Sequence, residues 1–346
     1  MGQPIELTFL PGLRESVTEE VRAVLPGVRK VRAVPGREDA VLCSVTDLRP
    51  VLSLRTVVAP FLALSFEVPR PKSLSSGEHF PRIVDSIAQA KQLNRADPLR
   101  TFRIEAAGSD SPVFRRLADQ LAAATGLVPV TTDGDCVIRF RRSVEGTGWD
   151  VLVRLTKRPL STRTWRSQGH PAAVNATIAA AMVRLTEPAA TDRVANPMCG
   201  SGTLLIERLL AGPAAAAVGV DVDPAALDAC AGNLASAGLT DRVRLCRGDI
   251  TDAGWEEGGP FDVLLADPPW GDKTGRHETN EALHESLLRR ASEVGTDNAR
   301  MVVLTHEIAI MQRCLRRARD LWEIHAETRV FAKGHHPRIY LLGRKP

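Results

Sequence analysis

The chain has 346 residues, 44% hydrophobic and 25% charged, with a net charge of +4, the profile of a globular protein long enough for two or three domains. No apolar run approaches the roughly 18 to 20 residues that a bilayer-spanning helix needs, the opening MGQPIELTFLPG lacks the basic start and apolar core of a signal peptide, and Glu6 falls outside the myristoylation pattern. The six cysteines at 43, 136, 199, 230, 246 and 314 show no Cys-x-x-Cys spacing, so free thiols in a reducing cytoplasm are expected, with no disulfide framework, metal site or membrane anchor.

Residues 1–68 read as strands at 5–10, 28–34, 40–45 and 57–68, with helices at 14–25 and 46–54. Val17, Val21 and Val24 fall on one helical face, and Pro26-Gly27 stops that helix. This order predicts a ferredoxin-like split βαβ domain. Pro69-Arg70-Pro71 starts a second unit, with helices at 80–93 and 112–125 and strands at 101–106, 127–130, 136–142 and 149–155. Residues 1–170 hold 25 Lys and Arg against 18 Asp and Glu, a net +7. Such a half can attract a polyanion through its phosphates, or be an ordinary solvated surface.

Residues 161–190 form a polar, basic connector and an Ala-rich helix at 171–185. From 191 onward, strands (193–196, 217–221, 243–246, 263–266, 301–305) alternate with helices (202–210, 224–237, 280–294, 308–317). Alternation of this kind predicts an α/β fold with a doubly wound parallel sheet. The tail departs from it, with a β-hairpin of strands 327–331 and 338–342 about Lys333-Gly334-His335-His336.

Three segments of this last region carry chemistry. Asn196-Pro197-Met198-Cys199-Gly200-Ser201-Gly202-Thr203 follows a strand and opens a helix. Its glycines let the backbone approach a ligand, and the helix N-terminus offers N–H groups. It matches neither the dinucleotide nor the P-loop pattern. Asp221 ends the next strand about 20 residues on, where a carboxylate can accept both hydroxyls of a ribose. Asp249, after the third strand, can accept from an adenine amine with Val222 and Ile250 flanking the ring; taken singly, a helix N-cap is the more common role for an Asp after a strand.

The fourth strand ends in Asp267-Pro268-Pro269-Trp270. The prolines fix the backbone and leave carbonyls without local donors. An exocyclic amine is a weak nucleophile because its lone pair is delocalised into the ring. Accepting its two N–H bonds, from Asp267 and the Pro268 carbonyl, returns electron density to nitrogen. Trp270 can stack on a base drawn out of its helix. The bland alternative is a rigid turn with Trp270 as a lid on the core.

The 192–346 region resembles class I methyltransferases with an Asp/Asn-Pro-Pro-aromatic motif. NPMCGSGTLLIE, preceded by a helix starting at His170-Pro171-Ala172-Ala173, is similar to the THUMP-containing RNA guanine-N2 methyltransferases, and Arg163-Thr164-Trp165-Arg166 is similar to that family's Arg-x-Tyr-Arg stretch. The resemblance implies a ferredoxin-like domain over 1–68, a THUMP RNA-binding domain over 69–160, a linker over 161–190, and a Rossmann-like methyltransferase domain with a terminal hairpin over 191–346. It implies S-adenosylmethionine bound by Asn196, Pro197, Cys199, Gly200, Gly202, Thr203, Asp221, Val222, Asp249, Ile250 and Asp267, with Asp267, Pro268, Pro269 and Trp270 catalytic. Arg163, Trp165, Arg166, Lys273 and Arg276 are expected to touch RNA. Lys273, Thr274 and Arg276 fit an ordinary polar loop equally well.

The chain departs from the family at Asn196, where Asp is usual, and at Trp270, where Tyr is common. Trp also occurs in adenine-N6 enzymes. The expected activity is methyl transfer to a guanosine N2 in tRNA, with rRNA as a second substrate class, by a cytoplasmic protein whose oligomeric state the sequence leaves open. Adenine-N6 or amide methylation, and a non-catalytic RNA-binding protein, stay open as alternatives.

Overall fold

The computed structural model describes residues 2–169, 173–251, 254–269, 277–332 and 334–345. The expectations placed on His170, Pro171, Ala172, Trp270, Gly271, Lys273, Thr274, Arg276 and Lys333 lie outside them. The chain divides into two compact units, one of the residues up to Phe9 with Val17–Ser161 and one of Leu10–Ser16 with Thr162 onward.

The first unit is built on one mixed sheet. Its elements in chain order are β1 (Gln3–Thr8), α1 (Arg14–Val24), β2 (Arg29–Ala33), β3 (Ala40–Val45), β4 (Ala59–Phe66), α2 (His79–Leu93), β5 (Thr101–Glu105), α3 (Pro112–Thr125), β6 (Val128–Pro129), β7 (Cys136–Arg142) and β8 (Trp149–Arg154). The strands lie in the order β2-β3-β1-β4-β8-β7-β5-β6. The first four are antiparallel, and β4 joins β8 from Phe61↔Arg154 to Phe66↔Trp149. The segments either side of residue 68 therefore share a single sheet. The helix expected over 46–54 is only a 3-10 turn at Pro50–Ser53. Pro50 lacks an N–H, and the Asp47 carboxylate accepts the Arg49 N–H at 3.0 Å, closing a local turn where a helix would have had to propagate.

The second unit holds α4 (Ala176–Leu185), β9 (Arg193–Pro197), α5 (Thr203–Ala211), β10 (Ala216–Asp221), α6 (Pro224–Ser236), β11 (Arg244–Arg247), β12 (Phe261–Ala266), α7 (His277–Val294), β13 (Gly295–Thr305), α8 (Ile308–Arg317), β14 (Trp322–Arg329) and β15 (Arg338–Arg344). Its sheet order is β11-β10-β9-β12-β13-β15-β14. Strands β9 to β13 pair in parallel, and β15 pairs antiparallel with both β13 and β14. The doubly wound sheet and its closing hairpin are as the sequence predicts. The chain winds from β9 outward to β11 and then returns to β12 on the other side of β9. In an open parallel sheet, such a reversal leaves a crevice at the strand C-termini that side chains do not fill.

The central strands read as unbroken apolar runs because helices cover both faces. Val263, Leu264, Leu265 and Ala266 are completely buried, as are Met301, Val302 and Val303. Helix α4 begins later than the expected residue 171, because Asn175 caps it by accepting the Thr177 N–H at 2.9 Å. Strand β14 begins five residues earlier than expected. Glu323, His325 and Glu327 alternate along it on this sheet edge, and their polarity hides the strand from a hydrophobic pattern.

Candidate active site

Four strands end on one side of the crevice, and each is followed by a turn that carries a candidate residue. Cys199, Gly200 and Thr203 after β9, Asp221 and Val222 at β10, Asp249 and Ile250 after β11, and Asp267 and Pro269 after β12 line a single cavity of about 420 Å³. That size suits one small-molecule ligand. The glycine turn and Asp267 thus border the same space.

The turn after β9 owes its shape to backbone freedom. Positive φ recurs at every second residue, at Met198 (56°), Gly200 (53°) and Gly202 (81°). Met198 accepts this strained conformation while packing against the buried apolar cluster around Ile250 and Leu264. Gly202 has no alternative, since a Cβ there would run into the Cys230 sulfur. Several N–H groups of this turn are taken up within the protein: those of Cys199 and Gly202 go to the Val220 and Cys199 carbonyls at 2.8 and 2.9 Å, and that of Gly200 goes to a carboxylate. The Asp221 carboxylate accepts the Gly200 N–H at 2.8 Å with one oxygen and the Asp223 N–H at 3.0 Å with the other. Asp221 therefore fixes the turn as well as facing the cavity, and each of its oxygens keeps a further lone pair for a ligand.

Asp249 accepts both the Thr251 N–H, at 2.9 Å, and the Thr251 hydroxyl, at 2.7 Å. These bonds hold its carboxyl below the usual carboxylate range. Ile250 is buried beside it, and Val222 is 57% exposed, large for an apolar side chain. Trp255 stacks on Phe261 and donates its indole N–H to the Ile250 carbonyl at 3.1 Å, which pins that turn from behind. Of the motif after β12, Asp267 is half-buried, Pro268 buried and Pro269 exposed.

Other candidates do not reach the cavity. Asn196 is fully buried and links β9 to its neighbour β12, its amide donating to the Leu265 carbonyl at 2.6 Å. Pro197 is buried beneath the turn. Arg163 is paired through two nitrogens with the buried Glu207 of α5, at 2.8 and 3.3 Å, with only 6% of its side chain exposed. Trp165 is 5% exposed and packs among Cys199, Leu205 and Ile206. Arg166 donates to the Val174 carbonyl and to the Thr203 hydroxyl, both at 3.0 Å. These three were expected at RNA. Their described partners are instead the framework of the cavity, because a guanidinium beside a buried glutamate or an orphan carbonyl satisfies groups that would otherwise be left unpaired. Cys199 shares a hydrogen bond with Cys230 and is buried, which pushes its thiol well above the ordinary value.

Sequence reasoning missed several wall residues: Ala173 and Val174 from the connector, Ser201 from the turn and Leu283 from α7. Small and apolar residues carry no chemical signature, and only the fold brings them to the rim. Ser201 is 2% exposed, and its hydroxyl has no hydrogen-bond partner among the described residues. An orphaned hydroxyl on the cavity wall, two carboxylates beside apolar Val222 and Ile250, and a glycine turn that lets a ligand approach the backbone form a set that fits an amino-acid-bearing nucleoside.

Residues 163–338 match the family profile described as UPF0020, RMKL-like, methyltransferase domain. The chain is 29% identical over 348 residues to a Thermus thermophilus protein named tRNA (guanine(6)-N2)-methyltransferase, with 98% of each chain covered. It is also 29% identical over 211 residues to the bovine tRNA (guanine(6)-N(2))-methyltransferase THUMP3, a match spanning 57% of this chain and 41% of that protein. Among solved structures, TrmN from Thermus thermophilus superposes with a TM-score of 0.72 over 99% of both chains at 23% identity. A Listeria monocytogenes protein described as a predicted N6-adenine-specific DNA methylase superposes at 0.68 and 16% identity, over 99% of this chain and 96% of that one. Both share the fold.

Proposed function

This chain belongs to the RMKL-like methyltransferase domain family (UPF0020), and we propose that it methylates the exocyclic N2 amine of a guanosine in tRNA with S-adenosylmethionine as donor. One observation carries the reading: residues 198–201 of the glycine turn and Asp267 line one cavity at the point where the strand order reverses. The name of the full-length Thermus thermophilus relative supports the choice of acceptor.

The residues divide the work between them. Asp221 receives the ribose hydroxyls of the donor and Asp249 its adenine amine, with Val222 and Ile250 against the ring faces. The turn of 198–202 and the Ser201 hydroxyl receive the amino-acid end. When bound, S-adenosylmethionine supplies an electrophilic methyl group on a sulfonium. Asp267 and the Pro268 carbonyl accept the two N–H bonds of the acceptor amine, orient its lone pair and raise its electron density. These bonds strengthen as positive charge develops on nitrogen, so they favour the transition state over the ground state. Asp267 or solvent then takes the proton. Trp270 stacks on the extruded base, and Lys273 and Arg276 hold backbone phosphates. The +7 front half docks the RNA, residues 1–68 as a ferredoxin-like domain and 69–160 as a THUMP domain.

The test is incubation of unmodified tRNA and rRNA with protein and S-adenosylmethionine, followed by mass spectrometry of the nucleosides. N2-methylguanosine in tRNA is the expected product. N6-methyladenosine, or no methylated nucleoside, overturns the proposal.

A further inference from the structure

The wall formed by Ala173 and Val174 belongs to a connector with no secondary structure of its own at those residues. Something must hold that backbone at a fixed distance from the glycine turn. Arg166 contributes from one side, through Val174 and Thr203. A second fastening lies deeper, in α6.

Asn233 is fully buried. Its Oδ1 accepts the Gln168 N–H at 3.0 Å and its Nδ2 donates to the Gln168 carbonyl at 3.2 Å, a two-way pairing with the connector backbone. The same Nδ2 donates to the Ser201 carbonyl at 3.1 Å, in the middle of the glycine turn. One carboxamide thus ties the connector backbone at Gln168 and the glycine turn at Ser201 to α6. Its neighbour Gly232 makes room for this, since a Cβ there would stand 2.8 Å from the Gln168 side-chain amide. A backbone pairing of this kind needs a donor and an acceptor on one planar group, which of all side chains of that length only asparagine provides.

We infer that Asn233 is a positioning residue for the methyl donor, locking the connector at Gln168 to the glycine turn at Ser201 so that the cavity keeps one width. The inference rests on the donor-binding reading above. Asn233 touches no reacting atom, so its loss acts on donor binding and leaves the acceptor alone.

The experiment is calorimetry with S-adenosylhomocysteine, paired with steady-state kinetics, on the full chain. Asn233→Ala is expected to weaken binding tenfold or more and to raise the KM for the donor in step, with kcat and the KM for tRNA within twofold. Asn233→Asp, nearly the same shape, is expected to weaken it at least as much, because a carboxylate would face two carbonyls. Gln168→Pro removes the N–H partner from the connector side and keeps the question answerable if the Asn233 variants do not fold. Asp192→Ala, remote from the cavity wall, is the control for general destabilisation and is expected to bind normally at 25 °C. Wild-type affinity in Gln168→Pro and in any folded Asn233 variant would overturn the inference. No binding by the wild-type protein would overturn the donor reading beneath it.

Discussion

Replacing Asp221 with Asn removes a charge and one acceptor while keeping the shape of the side chain. In the native protein, each carboxylate oxygen accepts a backbone N–H, from Gly200 at 2.8 Å and from Asp223 at 3.0 Å. In the variant, one of those N–H groups must face an amide NH2. A hydrogen bond to a charged group contributes about 1.5–3 kcal/mol, and each 1.4 kcal/mol is a factor of ten in affinity. The glycine turn is a binding element on the rim, so the loss falls mainly on ligand affinity and only slightly on global stability. Calorimetry is expected to show S-adenosylhomocysteine binding weakened about tenfold to a hundredfold, with the thermal midpoint little changed. Affinity within threefold of wild type would refute the idea that this carboxylate shapes the turn.

Three further outcomes follow from other parts of the second unit. Asp192 holds the fully buried Arg208 at 2.9 Å and Arg300 at 2.8 Å; Asp192→Ala strands a buried guanidinium and is expected to cost about 3–5 kcal/mol in chemical denaturation, and a loss under 1 kcal/mol would contradict it. His284 bridges the Asn280 carbonyl at 2.8 Å and the Thr305 hydroxyl at 3.1 Å, and burial depresses its pKa below 6.5. Its neutral form is favoured by folding, so its contribution is full above pH 6.5 and falls as pH drops below that value towards the depressed one. Thermal midpoints measured from pH 7.5 to 5 should decline, and His284→Gln should flatten that part of the curve; an unchanged slope would contradict it. Burial also pushes Cys43 and Cys136 up to about 12 and Cys314 to about 11, so brief alkylation at pH 8 followed by peptide mapping should find Cys246 modified first, and early labelling of Cys136 would be inconsistent with the packing.

The parts of the site that were legible in the sequence are those where chemistry restricts the residue type. Only glycine suits the turn at 202 beside Cys230, and a carboxylate ending a strand about 20 residues later has few structural reasons to recur with it. Asp267, set between a buried strand and two prolines, was legible for the same reason. In the connector, a likeness to a family's Arg-x-Tyr-Arg stretch is silent about the partners that these side chains have within the chain. Arg163, Trp165 and Arg166 look like a nucleic-acid contact, yet their described bonds go to Glu207, Val174 and Thr203 and their apolar surface to the core. Asn196 reads as a cofactor ligand from its place in the motif, and its burial between β9 and β12 appears only once the strands are paired. Asn233 and Ser201 gave no signal, because a lone asparagine in a helix and a serine in a turn are ordinary until the fold brings their partners within reach. The edge strand β14 was placed late since its polar alternation belongs to solvent.

The central claim is that Asp267 works on the acceptor amine while the glycine turn and Asp221 hold the donor. Its most direct test is Asp267→Ala assayed twice, for S-adenosylhomocysteine affinity and for single-turnover methyl transfer to tRNA. Binding within about threefold of wild type together with transfer reduced at least a thousandfold is the expected pair of results, the latter corresponding to about 4 kcal/mol of lost transition-state stabilisation. Transfer at the wild-type rate would contradict the account.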